Sequence, residues 1–95
     1  MTIKDLCNET FANYKRAMKT GNINDITNII RGYQVFCNLY HMGLVSEKNF
    51  NTYFTHFYNM VQLVYNKYLV ENNELLEKIK RMTDFKFKTF CKIKY

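Results

Sequence analysis

The chain has 95 residues, 47% of them hydrophobic and 17% aromatic, and a formal net charge of +6. That length suits one domain with one modest core, and that apolar content excludes a disordered chain. No stretch approaches the roughly 18 continuous apolar residues of a membrane span, and Met-Thr-Ile-Lys-Asp-Leu shows no secretory h-region, so a cytoplasmic protein with no membrane partner is expected.

Cys7, Cys37 and Cys91 are an odd number without close pairs. They read as reduced, mostly buried small hydrophobes rather than a disulfide framework. Abundant Asn, Lys, Tyr, Phe and Ile, with no Pro or Trp, reflect AT-rich codons. Lysine placement therefore says more than lysine number.

In chain order, the first helix opens at Thr2, with Asp5 completing a capping-box-like arrangement. Ile3, Leu6, Cys7, Phe11, Tyr14 and Met18 recur at three- and four-residue intervals along one face, and Gly21 stops the helix. The second helix opens at Asn22 or Asn24. Ile23, Ile26, Ile30, Tyr33, Cys37, Tyr40 and Leu44 form its core stripe, widened by Ile29 and Phe36, and Gly43 followed by Leu44 closes it. Ser46 caps the third. Its apolar arc, centred on Phe50, Phe54, Phe57, Val61, Val64 and Tyr68, covers about half the circumference, more than the usual stripe. Such a helix is central, or it faces a partner. Leu75, Leu76, Ile79 and Met82 keep the helical phase, so either the third helix runs on to about Met82 or, the favoured reading, it breaks at Asn72-Asn73 and a short fourth helix folds back.

From Phe85 to Tyr95 the period changes. Odd positions are apolar or Thr, and even positions are Lys except Phe90, which is strand alternation. The expected fold is mainly α: a three- or four-helix bundle over residues 1–84, with helices about 3–20, 24–42, 47–71 and 73–82. Residues 85–95 form a basic extension expected to be a single β-strand or a tail.

The charge is uneven. Seven basic and seven acidic residues cancel up to Glu77, so the whole excess lies in the final eighteen residues, where seven cations face only Asp84. Such a block suits an anionic partner: nucleic acid, an acidic protein surface or, least of all, anionic lipid. In the nucleic-acid alternative, Lys80, Arg81, Lys86, Lys88, Lys92 and Lys94 meet phosphates while Phe87 or Phe90 stacks on bases. The plainer reading packs those aromatics on the helices and leaves the lysines in water.

The constituents of catalysis are missing. The glycines are isolated, Ser46 is the sole serine, and His41 and His56 are the only histidines, so a non-enzymatic protein without cofactor or metal is expected. Cys37 and His41 lie four apart, but neither a third orienting group nor a full set of metal ligands is evident beside them. Glu71, Glu74 and Glu77 read as a solvated acidic face.

Binding is better signalled. Val35, Leu39 and Met42 lie at i, i+4 and i+7, opposite the core stripe of the second helix, among Asn28, Arg31 and Asn38. Either the fourth helix or the C-terminal segment covers them, or a protein partner or a second copy of the chain does. The favoured expectation is a small interaction protein that binds and modulates a macromolecule. Val35, Leu39 and Met42 are its apolar anchors, and Lys86, Lys88, Lys92 and Lys94 its cationic component. Size and codon bias suit a regulator or inhibitor carried by a phage or mobile element.

Overall fold

Each of the four long helices begins where a small polar side chain takes up amides that have no partner inside the helix. The computed structural model describes residues 2–90, with the backbone alone for Lys88 and Thr89. Helix α1 spans Ile3–Thr20. The Thr2 hydroxyl accepts from the Asp5 amide at 3.1 Å, and the Asp5 carboxylate accepts from the Thr2 amide at 3.2 Å. These two hydrogen bonds hold the Asp5 carboxyl below its usual pKa. Gly21 closes α1 at φ 68°, donating its amide to the Ala17 carbonyl.

Helix α2 spans Ile23–His41, with Asn22 accepting from the Asn24 and Asp25 amides. It ends in a Schellman turn. Gly43, at φ 77°, donates to the Tyr40 carbonyl, and the Leu44 amide reaches back to Leu39. Helix α3 spans Glu47–Val64 behind its Ser46 cap and passes directly into a π-helical turn, Tyr65–Leu69. Helix α4, Asn73–Thr83, starts on Asn72, which accepts from the Leu75 amide. It ends at Asp84, a non-glycine residue in the left-handed region at φ 55°.

Helices α1, α2 and α3 pack up-down-up. Ile26, Ile29, Ile30 and Phe36 from α2 meet Phe57, Val61 and Val64 from α3, all fully buried. Phe36 stacks on Phe57 with ring centroids 4.6 Å apart. Where α1 crosses α2, buried Thr10 lies against Gly32, and its hydroxyl donates to the Leu6 carbonyl at 2.8 Å. At the other end of α1, Lys67 and Tyr68 of the π turn donate to the Met18 carbonyl at 2.8 and 3.1 Å. That carbonyl belongs to the last turn of α1, which has no intrahelical donor for it. Helix α4 lies along α2. Arg31 and Gln34 donate to the Met82 and Thr83 carbonyls at its C-terminal end.

The C-terminal segment corrects the strand expectation over its described part. After an irregular stretch at 84–86, Phe87–Phe90 is a single helical turn, α5. Phe85, Phe87 and Phe90 are all buried. Tyr33 meets Phe85 and Phe90 edge-on at 5.8 and 5.5 Å, Phe90 lies 4.7 Å from Tyr58, and Phe87 stacks on Tyr65 at 5.5 Å. The reason is elementary. A lone strand leaves a row of unpaired backbone groups, whereas an irregular stretch ending in a turn satisfies some of them locally and points three rings into the bundle. Burying each ring contributes about 1.5–3 kcal/mol. Cys91, Lys92 and Lys94 lie outside the described residues, as do the rest of 91–95. Among the described residues, no helix is long and apolar enough to cross a membrane.

Candidate functional site

The outer face of α2 is built by periodicity. Val35 and Met42 point away from the stripe that carries Tyr33, Phe36 and Tyr40, and they remain 44% and 68% exposed. Leu39 sits between them in sequence but is only half-exposed, because it leans onto the edge of the core. Leu44, just past the Schellman turn, is 66% exposed and extends the apolar surface at that end. Helix α4 runs beside this face, yet it engages Arg31 and Gln34 and leaves Val35 and Met42 open. Of the anticipated anchors, two stand free and one is partly absorbed.

The cationic component is only partly in view. Lys80, Arg81 and Lys86 are exposed, and Lys80 pairs with Glu77 at 3.2 Å. Lys88 is described in its backbone alone, and Lys92 and Lys94 lie outside the described residues. Phe87 and Phe90 are 4% and 3% exposed, so neither has a ring face available to a nucleic-acid base. The stacking half of the nucleic-acid expectation is thereby overturned. These rings satisfy the protein's own aromatic core before they can serve a ligand.

The residues weighed for chemistry are dispersed. Cys37 is half-buried and His41 exposed. Burial pushes the Cys37 thiol pKa up, against a smaller opposing hydrogen bond from Tyr33, so the thiolate a nucleophile needs is disfavoured. Cys7 is likewise pushed up by burial. Glu71, Glu74 and Glu77 are all exposed, and no cluster of three or more His, Cys, Asp or Glu side chains suited to a metal ion occurs among the described residues.

A second surface escaped the sequence reading. Between α1 and α3 runs an open channel of about 500 Å³. Its floor is Cys7, Tyr14 and Met60, and its walls are Phe11 and Leu63, each 47% exposed. The spacing of Phe11 predicts a place in the core stripe of α1, but the ring sits at the edge of that stripe, stacked on Tyr14 and covered by the Lys15 ammonium at 5.0 Å. The one sequence signal for this channel was the over-wide apolar arc of the third helix, and Leu63 lies beyond the residues counted there.

Comparison with known proteins finds no matching family model, no similar curated protein and no similar solved structure.

Proposed function

We propose that this is a small non-enzymatic interaction protein that binds and modulates a macromolecular partner through the outer face of α2. The observation that supports it most is the exposure of Val35 and Met42 on a face that α4 borders without covering. Large apolar side chains aligned at helical spacing on an otherwise polar face gain most when a partner removes them from water. Leu39 gives that face a partly buried base, and the positive charge that Lys86, Lys88, Lys92 and Lys94 add to the sequence favours an acidic protein partner. Small size and AT-rich codon usage fit a regulator or inhibitor carried by a phage or mobile element, acting in the cytoplasm.

The test is affinity capture from host lysate, with and without nuclease, comparing the native chain with a Val35→Asp/Met42→Asp variant. The native chain is expected to hold a protein that survives nuclease, and the variant to lose it while keeping the helical circular-dichroism signal. Retention of the same partner by the variant, or release of it by nuclease, would sink this reading.

A further inference from the structure

We propose that the channel between α1 and α3 is a docking groove for an amphipathic helix with acidic flanks, on a different face from the α2 surface above. The two helices run side by side in the same direction, since residues about fifty positions apart meet along them, as Lys67 and Tyr68 meet Met18. The trough extends from Lys4 to Tyr14 on one side and from Tyr53 to Leu63 on the other. Ten helical residues rise about 15 Å, enough for side chains at i, i+4 and i+7 of a docked helix to lie along the floor. The trough is half-open, and its two walls, Phe11 and Leu63, are half in water. That shape suits a rod laid into it better than a small molecule enclosed by it.

Charge selects the occupant. No Asp or Glu lines the groove, whereas Lys4 lines it at one end beside the His56 imidazole and two asparagines. Lys15 stands over Phe11 on the rim, and Lys67 stands at the far end against the Met18 carbonyl. Asp5 and Glu9 fall on the flank of α1 turned away from the channel, at 100° per residue from its lining positions. Lys4 in the lining and Lys15 over the Phe11 wall, with Lys67 a turn beyond the other end and the acids facing elsewhere, complement a helix whose apolar stripe is bordered by carboxylates. A second copy of this chain does not fit through its α2 face, where Val35 and Met42 are bordered by Asn28, Arg31 and Asn38 and no acid.

Two roughly 18-residue helical peptides test this. Both carry Leu at i, i+4, i+7 and i+11, one with Glu on the flanks and the other with Lys, and laurate serves as a small amphipathic control. Binding is read by fluorescence anisotropy and by the rate at which iodoacetamide alkylates Cys7, mapped by mass spectrometry. The Glu peptide is expected to bind at least about tenfold tighter than the Lys peptide and to slow Cys7 alkylation. Leu63→Ser should weaken it by about tenfold. Lys4→Glu/Lys15→Glu should reverse the preference between the two peptides, a swap that simple unfolding cannot produce. Equal binding of both peptides, no binding of either, or undiminished alkylation of Cys7 in the bound state overturns the proposal. So does protection of Cys7 by laurate alone, which would make the channel a small-molecule site.

Discussion

The side chain of Thr10 packs directly on the bare α-carbon of Gly32, and this contact sets how closely α1 and α2 approach. A β-carbon on Gly32 would run into the Thr10 hydroxyl and come within 3.2 Å of its β-carbon. The glycine here is a matter of room, since its backbone is ordinary helix. Gly32→Ala is therefore expected to destabilise the fold by about 1–3 kcal/mol from overpacking, even though alanine gains about 1 kcal/mol in intrinsic helix propensity. Thr10→Ala should recover much of that loss in the double variant. Urea denaturation of the four proteins in this cycle measures the coupling, and purely additive effects would refute the contact.

Gly21 is constrained twice over. It needs φ 68°, and a β-carbon there would lie 2.9 Å from the Tyr68 ring. Gly21→Ala is expected to cost about 1–2 kcal/mol from the left-handed backbone, with the clash added to that. Tyr68→Phe should cost only about 0.5–1.5 kcal/mol, because Lys67 still reaches the Met18 carbonyl when the tyrosine hydroxyl is gone. Thermal unfolding that ranks the two variants the other way would argue against this joint.

Truncation after Asp84 removes more than charge. It takes away Phe85, Phe87 and Phe90 and uncovers Tyr33, Tyr58 and Tyr65. Phe90→Ala alone is expected to cost about 3–5 kcal/mol. The truncated chain should melt earlier and bind the dye ANS, whereas Lys86→Ala should leave stability within about 0.5 kcal/mol. A truncated chain as stable as the native one would mean the aromatic segment contributes nothing to the core.

Alkaline pH should weaken the fold. Burial raises the Cys7 and Cys37 thiol pKa values, so the folded state holds these protons more tightly than the unfolded chain does. Their contribution is complete below the usual thiol pKa of about 8.5 and is lost as pH rises through the raised folded values. Melting temperature should accordingly hold up to about pH 8.5 and fall as pH rises beyond it, and Cys7→Ala/Cys37→Ala should flatten that fall. An unchanged slope in the double variant would assign the effect to other groups.

Helix starts were legible because a cap is a local event. Thr2, Asn22, Ser46 and Asn72 each accept an amide two or three residues ahead, so residue type and position alone point to them. The outer face of α2 was legible for the same reason: periodicity places Val35 and Met42 opposite the core without knowledge of any neighbour. The final segment was not. Its Phe-Lys alternation is as compatible with an irregular stretch and one turn as with a strand, and the deciding element is a space lined by Tyr33 of α2, Tyr58 of α3 and Tyr65 of the π turn. The channel between α1 and α3 was hidden likewise. Phe11 and Leu63 become its two walls only when helices about fifty residues apart come together, and neither spacing nor composition encodes that meeting.

The aromatic rings of residues 85–90 fill a space that the earlier helices enclose but leave open. A folding chain whose helices assemble before this segment docks would thus hold Tyr33, Tyr58 and Tyr65 uncovered, a sticky patch on which other partly folded copies could gather.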